Sequence, residues 1–82
     1  MNPRMRQLLE KVERLTGTKL PREVVEVTLE PSLNMLCVRF KKPVGGELDE
    51  PAYPRIHLSK DKCTDEITAI ELSNMDELFQ EA

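Results

Sequence analysis

The feature that most constrains the chain is a change of apolar period at Val24. Upstream, Met5, Leu8, Leu9, Val12 and Leu15 recur at spacings of three and four, which places them on one stripe of a helix. Asn2 is suited to capping the first turn, Pro3 to the first helical position and Gly17 to the left-handed turn that ends a helix. Arg6 with Glu10, and Glu10 with Arg14, fall at ion-pair spacing on the solvent side. The spacing predicts a helix over residues 3–16.

Downstream the period falls to two. Val25, Val27 and Leu29 alternate with Val24, Glu26 and Thr28; after Pro31-Ser32-Leu33-Asn34, the inward set Leu36, Val38 and Phe40 alternates with Met35, Cys37 and Arg39. Alternation of this kind predicts strands, and the turn residues between them predict a hairpin. Pairing Glu30 with Met35 sets Val27 opposite Val38 and Glu26 opposite Arg39, so one register satisfies both the apolar and the ionic positions.

Residues 41–54 carry three prolines and Gly45-Gly46 and keep neither period, so they are expected to form a long loop. A second hairpin is expected from Arg55–Ser59 and Glu66–Leu72, joined by the polar turn Lys60–Asp65. Ser73 or Asn74 then caps a last short helix, with Glu77 completing a capping box and Met75, Leu78 and Phe79 on one side. The expected architecture is α+β: an N-terminal helix packed on a four-stranded, largely antiparallel sheet made of two hairpins, with a short C-terminal helix. At 82 residues the whole chain, 1–82, is read as one domain.

Composition narrows the functional classes. Hydrophobic residues make up 39% and charged residues 33%, which is too much apolar material for a disordered tail. No apolar run approaches the length of a membrane span, and the N-terminus lacks a secretory pattern. A cytoplasmic protein without membrane partners is therefore expected, with Cys37 and Cys63 reduced. A net charge of -3 gives no overall field to attract phosphate backbones.

The stretch Val27-Thr-Leu-Glu-Pro-Ser-Leu-Asn-Met-Leu-Cys-Val-Arg-Phe40 resembles the opening hairpin of short prokaryotic proteins grouped as a domain of unknown function, family 2283. Ile56-His-Leu-Ser-Lys-Asp-Lys-Cys-Thr-Asp-Glu-Ile-Thr-Ala-Ile-Glu-Leu72 resembles its closing hairpin. The likeness spans residues 25–78. Ala69 and Thr64 stand where that family favours glycine, Leu36-Cys37-Val38 stands where it often has an aromatic, and the first helix is additional. The resemblance implies a small β-rich fold with a helix, and neither an activity nor site residues.

No metal-binding, nucleophile-elbow or phosphate-loop motif is present, and no cofactor is expected. Asp61-Lys-Cys-Thr-Asp-Glu66 starts like a calcium loop, but Cys63 stands where an oxygen ligand belongs. If Leu36, Val38, Ile56, Leu58, Ile70 and Leu72 face the helices, then Cys37, Arg39, Arg55, His57 and Glu71 share the opposite face. A thiol, an imidazole and a carboxylate there suggest a Cys-dependent enzyme; separate surface residues are the simpler reading, and with Cys63 the same groups leave a zinc site without its full ligand set. Arg39, Lys41, Lys42 and Arg55, at the strand ends, suggest a nucleic-acid surface, although lysines and arginines also solubilise strand edges. Preferred over both is a non-enzymatic interaction module, a homo-oligomer or the binder of a protein partner. Its contact surface is the open sheet face, where Val24, Met35, Cys37, Ile67 and Ala69 mix with Arg39 and His57.

Overall fold

The computed structural model describes residues 3–74. Helix α1 runs Pro3–Thr16 and buries Leu8, Leu9 and Val12 of the predicted stripe. It ends as the spacing predicts: Gly17 takes φ 69°, and its amide donates to the Glu13 carbonyl at 2.9 Å. The Glu13 carboxylate then accepts the Leu20 amide at 2.7 Å, which turns the chain back and lets Leu20 enter the core.

Five strands follow among the described residues: β1 (Glu26–Glu30), β2 (Met35–Arg39), β3 (Glu47–Tyr53), β4 (Ile56–Asp61) and β5 (Ile67–Ser73). They form one sheet in the order β1-β2-β5-β4-β3, with every neighbouring pair antiparallel. The first hairpin has the expected register, Glu26 opposite Arg39, Val27 opposite Val38 and Glu30 opposite Met35. A short 3-10 turn at Pro31–Leu33 joins its strands, closed by Asn34 at φ 50°. The two hairpins meet along β2 and β5, where Leu36 opposes Leu72 and Val38 opposes Ile70.

The expected four-stranded sheet is corrected to five strands. Glu47–Tyr53, inside the expected 41–54 loop, is β3, an edge strand paired with β4 from Glu47 opposite Asp61 to Tyr53 opposite Ile56, with a register shift between Pro51 and Tyr53. An edge strand tolerates proline because one side of its backbone has no ladder to supply. The turn into β4 is Pro54-Arg55, with Arg55 at φ 68°. β4 also continues through Lys60 and Asp61, residues expected in a turn. The expected C-terminal helix with Met75, Leu78 and Phe79 lies outside the described residues. Its expected cap, Ser73, closes β5, and the Asn74 amide donates to the Asn34 carbonyl at 2.9 Å.

The core lies between α1 and one face of the sheet: Leu8, Leu9, Val12 and Leu20 pack with Leu36, Val38, Phe40, Ile56, Leu58, Ile70 and Leu72. The inward set expected for β2, β4 and β5 is thus the observed one. The same expectation for β1 is met in register and not in burial. Val27 and Leu29 oppose the buried Val38 and Leu36, yet they are 46% and 58% exposed, and Val25 is 60% exposed. The α1 backbone comes near β3, the edge strand opposite β1, while its apolar side chains pack in one cluster with those of β2, β4 and β5.

Truncating Ile70 to Ala, which opens a cavity in the fully buried centre, is expected to cost about 3 kcal/mol in urea unfolding. Val27→Ala is expected to cost about 0.5 kcal/mol, as surface substitutions do. Equal costs would mean that β1 is covered as thoroughly as β5.

Candidate functional site

Directly opposed residues of neighbouring strands share a face, so the registers lay out the outer face in rows. One row reads Glu26, Arg39, Ala69, Ser59, Asp49, and the next reads Thr28, Cys37, Glu71, His57, Pro51. Met35 stands at the end of this face between Glu30 and Ser73. Met35, Cys37, Arg39 and His57, four of the seven expected contact residues, are therefore there and half-buried.

The other three are not available as expected. Ala69 shares the face and is 1% exposed, because it is small and stands beside the long side chain of Arg39. Ile67 packs against the core. The ladder pairs Ser59 with Ala69 and Lys60 with Ile67, so the bulge at Thr68 reverses the alternation beyond it and carries Ile67 to the helix side. Val24 also packs against the core, two residues before β1 begins. Arg55 lies in the β3–β4 turn and not on the outer face.

What occupies the outer face is a polar network. The Arg39 guanidinium donates to both carboxylate oxygens of Glu47, at 3.0 and 3.2 Å, and to the Lys41 carbonyl at 3.3 Å. The Thr68 hydroxyl donates to Glu47 with the Ser59 carbonyl 3.2 Å away, and the Ser59 hydroxyl donates to Asp49 at 2.7 Å. The Thr68 carbonyl accepts the Phe40 amide at 2.8 Å. The bulge therefore serves as a junction between β2, β5 and the Glu47 end of β3. The acidic residues Glu47, Asp49 and Glu50, read in sequence as solvating a loop, each hold a partner, Glu50 through Lys60 at 3.3 Å.

A second acidic anchor fixes the chain before β3. The buried Asp61 carboxylate accepts the amides of Val44 at 2.7 Å, Cys63 at 2.8 Å and Gly45 at 3.2 Å. These amides, Val44 first, hold its carboxyl below the usual aspartate range. Gly45 is required by space: a Cβ there would lie 2.0 Å from the Cys63 sulfur. The segment that looks like the start of a calcium loop is a tight turn organised by amides donating to one carboxylate.

Cys37, Glu71 and His57 do fall in one row, but in that order, with the carboxylate between thiol and imidazole. Cys37 and His57 are two strands apart, about 9.5 Å, beyond proton-transfer reach. Burial pushes the Cys37 thiol up, and the Glu71 carboxylate pushes it the same way, which favours the thiol over the nucleophilic thiolate. The basic strand ends are engaged too, since Arg39 is held by Glu47 and Lys41 pairs with Glu66 at 2.8 Å. A groove of about 1020 Å³ beside α1 is lined by Arg4, Lys11 and Arg14 together with Glu10 and Glu13, charges of both signs without a thiol or imidazole. No helix among the described residues is long and apolar enough to cross a membrane.

The large exposed apolar side chains lie in two places: Val27 and Leu29 on β1, with Val25 just before it and Leu33 in the adjoining turn, and Leu48 and Tyr53 on β3, with Val44 in the segment before it. Sequence reasoning placed Val27 and Leu29 inward with Val38 and Leu36 and so missed them as surface groups; no local pattern in β1 marks them as exposed. The chain matches no family model, no curated protein and no solved structure.

Two outcomes follow from this geometry. The Arg39 guanidinium, then the Thr68 hydroxyl, hold the Glu47 carboxyl below the usual range. A carboxylate depressed on folding adds stability that is present above its unfolded pKa, about 4.3, and is lost as the pH falls through its folded value. Glu47→Gln is expected to lose about 1 kcal/mol at pH 7, since partial solvent access screens the pair, and to lessen the acid-induced decline below about pH 4; urea unfolding across that range measures both. Cys37 is expected to alkylate with iodoacetamide at pH 7.5 more slowly than the exposed Cys63, read by mass spectrometry of the modified peptides.

Proposed function

We propose that the chain is a non-catalytic protein-interaction module that accepts an additional strand on the free edge of β1. The observation that carries this reading is the contrast between the two edges of the sheet. β3 has the features that discourage pairing: Pro51 within the strand, a register shift beside it, and the acidic run Glu47, Asp49 and Glu50. β1 lacks the proline and the internal register shift, although Glu26 and Glu30 make two of its five residues acidic. Glu26-Val-Thr-Leu-Glu30 contains neither proline nor glycine, keeps an uninterrupted register with β2 and is exposed at every position.

An added strand would draw affinity from the unoccupied backbone edge and specificity from alternate side chains. On the helix side it would meet Val27 and Leu29, and on the outer side Glu26 and Glu30. The favoured partner therefore alternates apolar and basic or hydroxyl-bearing residues. This moves the contact surface from the outer face, whose centre is occupied by the Arg39–Glu47–Thr68 network, to the neighbouring edge. Met35, Cys37 and His57 then stand beside the contact rather than within it.

A synthetic seven-residue peptide alternating lysine and valine is the probe, titrated by NMR into low-micromolar protein. Expected are shifts concentrated at residues 26–30, and affinity about tenfold lower for the Glu26→Lys/Glu30→Lys double variant. Shifts at β3 or around Cys37 and His57, with β1 unmoved, would refute strand addition at β1.

A further inference from the structure

Resting on strand addition at β1, we infer that the partner is an extended segment of another protein, antiparallel to β1, with a basic residue opposite Glu26 and a second opposite Glu30, four positions apart. The inference comes from how short the free backbone edge of β1 is and from which side chains flank it.

The direction in which each backbone group points follows from the ladder at the end of β2. Met35 opposes Ser73, and the bond there runs from the Asn74 amide to the Asn34 carbonyl, one residue outside the pair on each chain segment. That is the pattern of a non-hydrogen-bonded pair, so the backbone groups of Met35 turn away from β5 and toward β1. By alternation those of Met35, Cys37 and Arg39 face Glu30, Thr28 and Glu26, which leaves the N–H and C=O groups of Val27 and Leu29 on the free edge. The edge is closed at both ends. Upstream, the Val25 amide donates to the Arg39 carbonyl at 2.8 Å. Downstream, Pro31 has no amide proton, and its carbonyl accepts the Asn34 amide at 3.2 Å. An added strand therefore bonds to Val27 and Leu29, and a partner as long as β1 itself, five residues, covers them with their flanks.

The same alternation decides which side chains the partner meets most closely. Across the new ladder Glu26, Thr28 and Glu30 occupy the non-hydrogen-bonded positions, where opposed side chains approach nearest. Neither glutamate has a side-chain hydrogen bond or ion pair among the described residues. Arg39, opposite Glu26, directs its guanidinium to Glu47 and the Lys41 carbonyl. Two carboxylates four residues apart, with a hydroxyl midway, select cations at the first and fifth positions of the partner and a small polar side chain at the third. They also exclude a second β1: setting Val27 against Leu29 of another copy opposes Glu26 and Glu30 at both ends, like charges across the nearest pairs.

Three five-residue peptides with blocked ends test this by NMR titration of the full chain: Lys-Val-Thr-Val-Lys, the same residues reordered as Val-Lys-Thr-Lys-Val, and Glu-Val-Thr-Val-Glu. Expected are shifts at residues 26–30 with the first peptide, affinity about tenfold lower for the reordered one, and lower still for the glutamate peptide. Glu26→Gln/Glu30→Gln, at exposed positions, should abolish the preference for the first peptide. Glu26→Lys/Glu30→Lys should reverse it in favour of the glutamate peptide. Circular dichroism should show native melting for both variants.

Equal binding of the three peptides at residues 26–30 of the wild-type chain would overturn the basic spacing and leave strand addition standing. A preference that survives both variants would overturn it too, by placing its origin away from the two glutamates. Concentration-dependent shifts at residues 26–30 in the chain alone, with twice the 9.4 kDa chain mass in light scattering, would overturn the inference by showing that the edge takes its own copy. No shift at residues 26–30 with any peptide up to about 10 mM, weaker than any specific complex, would overturn strand addition itself.

Discussion

The pairing of β2 with β5 is the interaction on which the rest of the structure depends. Without it the chain is two separate β units that share no hydrogen-bonded ladder. With it, Val38 and Ile70 stand side by side, as do Leu36 and Leu72, and these residues form the floor on which Leu8, Leu9 and Val12 of α1 can be buried. The contact joins residues thirty or more positions apart, so it is costly in chain entropy. It is reinforced at both ends by polar contacts. At one end the Thr68 carbonyl accepts the Phe40 and Lys41 amides; at the other Asn74 donates to Asn34. Apolar burial supplies the driving force, and these bonds fix which of the possible registers is occupied.

The placement of β5 between β2 and β4 also decides which strands become edges. Each edge belongs to a different hairpin, and the two were given different chemistry. β3 is acidic, carries a proline and is tied to its surroundings by Glu47, Asp49 and Glu50. β1 is regular and alternates glutamate with valine, threonine and leucine. A sheet that needed protection only from aggregation would protect both edges. The difference between the two edges is what the proposed partner strand would account for, and Val27 and Leu29 of β1 are exposed.

Much of this architecture was legible in the sequence because it rests on periodicity. The α1 stripe, the β1–β2 register and the inward residues of β2, β4 and β5 all follow from where apolar side chains recur. β3 was hidden because Glu50 breaks its alternation and Pro51 reads as a loop residue; only its position at an edge makes that proline acceptable. Ile67 and Val24 were misplaced for a related reason. Strict alternation assumes an unbroken ladder, and the bulge at Thr68 shifts the count by one while the chain leaves the strand pattern before Glu26. The row of Cys37, Glu71 and His57 was legible as a shared face, but the order of groups within it depends on strand order, which no local pattern records. Likewise, no residue of β1 announces that Val27 and Leu29 will stay exposed while the opposed Val38 and Leu36 are buried.

Partial coverage of the sheet links stability to association. A chain of 82 residues has a small core by the scaling of surface with volume, and this one leaves Val25, Val27, Leu29 and Leu33 in water. Burial of apolar surface is worth about 25 cal/mol per Å², so covering even part of that strip returns a sizeable fraction of the margin by which a small domain is folded. Anything that binds the folded edge and not the unfolded chain stabilises the fold by mass action. The outer face carries the Arg39–Glu47–Thr68 bonds that join β2, β5 and β3, so in the proposed strand addition the gain in stability comes from β1, through its backbone and the exposed Val27 and Leu29.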